Sequence, residues 1–111
     1  MIANEEEVGR TLVVQIAGAA LDAETSKSFR KDIKDRLRGR RQVVLDLSEL
    51  VFVDSSGLGA LIACLRQVSA TGGDLKLCGL SVQVRALFEL VRMHHLFSIY
   101  NTRDEALRAF R

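Results

Sequence analysis

The chain has 111 residues, 48% hydrophobic and 27% charged, with 16 Lys and Arg against 14 Asp and Glu for a net charge of +2. That length supports one domain, residues 1–111, with a single two-layer core, and the composition excludes extended disorder. The near-neutral balance argues against direct nucleic-acid binding: the basic stretch from Lys27 to Arg41 is interrupted by Asp32 and Asp35, and no aromatic residues interleave closely enough for base stacking.

In chain order, Met1 to Glu7 is acidic where a secretory signal needs a basic start and an apolar core. Thr11 to Ala17 is rich in Val and Ile and is closed by Gly18, which predicts a strand. Asp22 is placed as a helix start. Phe29, Ile33 and Leu37 then recur every fourth position among Lys27, Arg30, Lys31, Lys34 and Arg38, giving an amphipathic helix that ends near Gly39. Gln42 to Leu47 is a nearly continuous apolar run broken by Asp46, as expected of a central strand covered on both faces.

A helix follows Ser55-Ser56-Gly57. Leu58, Leu61, Ile62, Leu65 and Val68 mark its expected buried face as far as Ala70, where Thr71-Gly72-Gly73 breaks it. Asp74 to Cys78 is a short strand. Ser81 can cap a third helix with Val84, Leu87, Phe88 and Val91 on its apolar stripe, Leu96 to Tyr100 is a final strand, and Asn101 to Phe110 a terminal helix. Strands separated by helices require crossover connections, so the expected fold class is α/β, with a mostly parallel central sheet of about four to five strands and about four helices. No apolar run approaches the roughly 20 residues that span a bilayer. Two cysteines, Cys64 and Cys78, are too far apart for a redox pair and too few for a disulfide scaffold. These features point to a soluble, cytoplasmic chain with no membrane insertion; oligomeric state is open.

The segment Asp54-Ser55-Ser56-Gly57-Leu58-Gly59 joins a buried strand to a helix N-terminus at the carboxyl edge of the sheet, where sites gather in open α/β folds. Free amides and the positive end of the helix dipole accommodate a negative group there, including a phosphate added to a serine. The plainer reading makes Ser55 an N-cap, worth about 1 kcal/mol, a role Ser56 or Asp54 could equally fill. Gly57 and Gly59, with Ala60 and Ala63, would form a smooth face for docking, or simply permit a tight turn. Asp22 is either a cap or a recognition residue. His94 and His95 are adjacent, so their side chains are expected to diverge, and no third ligand is spaced for a metal. Ser55 has no evident base, no Gly-x-Ser-x-Gly surrounds it, and there is no phosphate-binding loop, so no catalytic residue and no cofactor is assigned.

The Asp54-Ser55-Ser56-Gly57-Leu58-Gly59 segment, preceded by Val44-Leu45-Asp46-Leu47 and followed by the Leu61-Ile62 helix, resembles bacterial anti-sigma factor antagonists of the STAS domain family. Leu21-Asp22, Gly72-Gly73-Asp74-Leu75 and the stretch from Val84 to Leu96-Phe97 extend the resemblance over nearly the whole chain. It implies a non-enzymatic binding module in which Ser55 is reversibly phosphorylated, with Ser56 as the runner-up. Its implied partners are an anti-sigma factor with serine kinase activity, sequestered by the unphosphorylated form so that a sigma factor is freed, and a metal-dependent serine phosphatase. The implied partner surface comprises Asp22, Asp54, Ser55, Ser56, Gly57, Leu58 and Gly59. The alternative is a non-switching STAS adaptor subunit of a transporter or signalling complex.

Overall fold

A computed structural model describes residues 1–111. Its elements are β1 (Ile2–Val8), β2 (Thr11–Ile16), β3 (Ala20–Leu21), α1 (Ser26–Leu37), β4 (Gln42–Asp46), β5 (Phe52–Val53), α2 (Ser55–Ser69), β6 (Asp74–Cys78), α3 (Val82–Leu90), a single 3-10 turn at Met93–His95, β7 (Ser98–Tyr100) and α4 (Arg103–Arg108). Five strands form one sheet in the order β1-β2-β4-β6-β7, parallel throughout except for β1. The expected α/β architecture with four helices is therefore what forms.

Strand alternation decides which layer each side chain enters. Leu12, Val14 and Ile16 of β2, with Val43 and Leu45 of β4, join Phe29, Ile33, Leu37, Leu61, Val68 and Phe88 in a core of 21 residues under α1, α2 and α3. Val13, Val44 and Cys78 point through the opposite face and meet Ala106 of α4. Both faces of β4 are thus covered, which is why its sequence shows no polar alternation.

Three features depart from the sequence expectations. The acidic Glu5-Glu6-Glu7 run is an edge strand, paired antiparallel with β2. Its acids alternate between faces: Glu5 pairs with Arg36 and Glu7 with Arg40, while Glu6 reaches Arg103 of α4. These pairs also employ part of the basic Lys27–Arg41 stretch. Asp22 does not open α1. The helix begins at Ser26, after a turn that Asp22 closes through its carboxylate. The buried stripe of α2 is Gly57, Ala60, Leu61, Cys64 and Val68, whereas Leu58, Ile62 and Leu65 are only partly buried. The helix is turned so that its small residues face inward, which lets it approach its neighbours closely.

In a parallel sheet every strand ends at the same edge. The carboxyl ends of β4 and β6, the small parallel pair β3-β5 and the first turn of α2 therefore converge there, consistent with Leu47 N–H donating to the Cys78 carbonyl at 3.0 Å.

Candidate functional site

Pairing of β3 with β5 sets Leu21 opposite Val53, so the residues that follow, Asp22 and Asp54, leave the sheet together. Asp54 is the N-cap of α2: its Oδ1 accepts from Gly57 N–H at 2.9 Å, as cap side chains do. Its Oδ2 accepts from Ala23 N–H at 3.0 Å, so one carboxylate binds α2 to the loop that precedes α1. Asp22 spends Oδ1 on the amides of Glu24 at 3.0 Å and Thr25 at 3.1 Å, and its own amide donates to Thr25 Oγ1. Asp54 thus spends both carboxylate oxygens on the scaffold, and Asp22 one of its two.

Gly57 is buried. A β-carbon there would stand 2.1 Å from the Leu21 carbonyl oxygen and 2.9 Å from Val53 Cγ1, so only glycine permits this approach of α2 to β3. The α-carbon of Gly57 thus packs inside the domain, against β3. Gly59 is half-exposed, and an Nη2 nitrogen of Arg30 lies 3.2 Å from where its β-carbon would sit. Leu58 is half-buried against the core.

Ser55 is the first residue of α2 and is exposed, while Ser56 beside it is half-buried. Asp54 performs the capping, leaving the Ser55 hydroxyl without a structural duty. The first helical amides have no partner one turn back. Gly57 N–H is met by the Asp54 carboxylate and Leu58 N–H by the Asp54 carbonyl at 2.9 Å.

Sequence reasoning did not single out the apolar side chains around this serine. Val51 is 47% exposed and Phe52 54%, and both immediately precede the motif; Val82 is 84% exposed at the start of α3, the helix against which β5 packs. The only sequence signal of Val51 and Phe52 is the Val51-Phe52-Val53 run, which reads as core. On the other flank, Arg30, Lys34 and Arg66 line a groove of about 970 Å³ between α1 and α2, floored by Gly59, Ile62 and Ala63.

His94 and His95 sit in the 3-10 turn that leads into β7, at the edge of the sheet opposite Ser55. Their rings do not diverge as expected but lie 4.2 Å apart. No three His, Cys, Asp or Glu side chains gather into a metal-binding group. Burial pushes both thiols up to about 12: for Cys64 the Arg30 charge offsets part of this, and for Cys78 the Asp46 carboxylate adds to it. Neither thiol is a ready nucleophile.

Residues 3–106 match the STAS domain family. The chain is 30% identical to the anti-sigma F factor antagonist of Paenibacillus polymyxa over 98 residues, covering 86% of this chain and 83% of that one. The crystal structure of an anti-sigma factor antagonist from Mycobacterium paratuberculosis superposes with a TM-score of 0.85 at 25% identity, over 98% of this chain and 93% of that one. The anti-sigma factor antagonist SpoIIAA in its unphosphorylated form gives a TM-score of 0.78 at 26% identity, over 100% and 96% of the two chains. Its phosphorylated form, described as a Bacillus cell fate determinant, gives 0.71 at 25% identity, over 100% of both. No helix is long and apolar enough to cross a membrane. With the five-stranded mixed sheet, the β3-β5 pair and the Asp54-capped Ser-Ser-Gly turn all in place, the chain belongs to the STAS domain family.

Proposed function

We propose that this chain is an anti-sigma factor antagonist whose grip on its partner is set by phosphorylation of Ser55. The observation that carries the reading is the division of labour at the head of α2: Asp54 holds the helix, and the neighbouring Ser55 hydroxyl is exposed and free to be modified. The relatives named as anti-sigma factor antagonists, and the occurrence of SpoIIAA in unphosphorylated and phosphorylated forms, support it.

The partner is an anti-sigma factor with serine kinase activity. It supplies the nucleotide and the base, and the chain supplies the acceptor: Ser55 Oγ attacks the γ-phosphorus of ATP, its proton passes to a base of the kinase, and ADP departs. A metal-dependent phosphatase reverses the change. In the unmodified state the partner packs against Ser55, Ser56, Leu58 and Gly59, with exposed Phe52 and Val82 adding apolar contact. A phosphoserine brings about −1.5 to −2 charges at pH 7. Within the free chain the positive end of α2 offsets part of that charge. An interface packed against a neutral hydroxyl must instead desolvate it, so affinity falls while the fold persists.

The test is calorimetric titration of the kinase partner with unmodified chain, phosphorylated chain and Ser55→Ala. The unmodified chain and Ser55→Ala should bind alike, and the phosphorylated chain should bind at least tenfold more weakly. Equal affinity for all three would remove Ser55 as the switch. Intact mass after incubation with kinase and ATP should rise by one phosphate in the parent and stay unchanged in Ser55→Ala.

A further inference from the structure

The groove between α1 and α2 is lined by cations that no acid of this chain engages. The ion pairs with Glu5, Glu6, Glu7, Asp35, Asp46 and Asp74 are made by Arg36, Arg103, Arg40, Arg38 and Lys76, and none involves Arg30, Lys34 or Arg66. Arg30 is exposed, and its Nη2 lies 3.2 Å from the position a β-carbon of Gly59 would occupy. Gly59 follows Ser55 by four residues within α2. Residues so spaced share a helix face, with β-carbons about 5–6 Å apart. The Arg30 guanidinium therefore lies one helical turn along from Ser55, over Gly59, with its charge also felt at Cys64.

We infer that Arg30 is the intramolecular receiver of a phosphate on Ser55, swinging along the bare Gly59 surface to form a charge-assisted pair with it. The inference rests on Ser55 being the modified residue. A guanidinium suits the task because its fork donates two parallel hydrogen bonds to phosphate oxygens. It has no carboxylate to leave, and its long stem crosses the gap without moving either helix. The other charged groups at this end are Asp22, Glu24 and Asp54 as acids and Lys27 as a cation. Asp54 has both oxygens on backbone amides and Asp22 has one, and neither forms an ion pair with Arg30. Lys34 lies a turn further from the site along α1, and Arg66 two turns beyond Gly59 along α2. The pair neutralises part of the phosphate charge, holds it against the chain, and presents the phosphatase with a group it must first release.

The test uses the full chain with phosphoserine installed at position 55 during translation, so that the result does not depend on a kinase choosing that residue. The second ionisation of the phosphate is followed by 31P NMR at low ionic strength, where surface pairing is least screened. A nearby cation favours the dianion. The midpoint should thus lie lower in the parent than in Arg30→Ala by roughly half a unit or more, with Arg30→Lys between them. Arg66→Ala should match the parent, and Lys27→Ala should move the midpoint clearly less than Arg30→Ala. Because Arg30 is exposed, these variants should keep the parent melting temperature, which circular dichroism verifies. A midpoint unmoved by Arg30→Ala, or moved as far by Lys27→Ala, would overturn the pairing. If the midpoint shifts as expected but a kinase partner phosphorylates a different residue, the Ser55 reading falls and the Arg30 geometry stands.

Discussion

Two glycines two residues apart on α2 should respond to the same substitution in opposite directions. In Gly57→Ala the added methyl would stand 2.1 Å from the Leu21 carbonyl oxygen, 2.9 Å from the Leu21 carbonyl carbon and 2.9 Å from Val53 Cγ1. Two of the three obstacles are backbone, so relief requires α2 to move away from β3 by about an ångström. Overpacking of this kind costs about 1–3 kcal/mol, and a backbone obstacle places it near the top of that range. Replacing glycine in a helix returns at most about 1 kcal/mol, leaving a net loss of about 2 kcal/mol. At roughly 4–6 °C per kcal/mol for a domain of this size, the melting temperature should fall by about 10 °C. In Gly59→Ala the methyl meets only the mobile end of Arg30 at 3.2 Å. The helix gain of about 0.5–1 kcal/mol should then dominate and raise the melting temperature by a few degrees. Thermal and urea unfolding followed by circular dichroism measures both. A Gly57→Ala chain as stable as the parent would refute the close approach of α2 to β3, and a Gly59→Ala chain destabilised as much as Gly57→Ala would refute the assignment of helix faces.

Leu61→Ala, at a fully buried position, should cost about 2–5 kcal/mol, while Leu65→Ala at a partly buried one should cost clearly less; urea midpoints rank the two. Asp54→Ala removes the acceptor for both Gly57 and Ala23 and should destabilise by about 1–3 kcal/mol, whereas Ser55→Ala should stay within about 0.5 kcal/mol of the parent. Because burial pushes both thiols up to about 12, little thiolate exists at pH 8, and iodoacetamide should label Cys64 and Cys78 slowly in the folded chain and rapidly in urea. Fast labelling without denaturant, read by mass, would contradict their burial.

The elements with strong periodicity are legible in the sequence, and the ones without it are not. Phe29, Ile33 and Leu37 specify α1, and the unbroken apolar run of β4 announces a strand covered on both sides. β1 escapes because an exposed edge strand needs no apolar alternation: its acids are tied to arginines on two different helices, contacts that only the folded chain creates. β3 and β5 have two residues each, too few for any period to show. The face of α2 is legible only in part for a related reason: Leu61 and Val68 are buried as expected, but Gly57, Ala60 and Cys64, whose small size lets helix and sheet come close, complete the stripe, while Leu58, Ile62 and Leu65 lie at its margin. The motif itself is legible as a helix start. Which of its residues caps the helix and which is spare depends on hydrogen bonds that spacing alone does not distinguish.

That distinction also explains why a switch can be placed at a structural corner without loosening it. If Ser55 capped α2, adding a phosphate would replace the capping hydroxyl with a dianion, and modification would change stability together with binding. Instead the cap, the link to the pre-α1 loop and the tight α2-β3 contact are assigned to Asp54 and Gly57, neither of which is modified. Charge added at Ser55 then meets a rigid frame whose backbone has no slack to absorb it. Its energetic effect falls on whatever packs from outside, and a nearby free guanidinium limits the cost to the chain itself. On this logic, Asp54→Asn and Ser55→Asp separate the two duties. The first should lower the melting temperature by weakening the amide contacts yet preserve binding at low temperature, where the fold survives. The second should leave the unfolding free energy within about 0.5 kcal/mol of the parent while weakening the partner complex. Loss of binding and stability in parallel in both variants would mean that scaffold and switch are one unit.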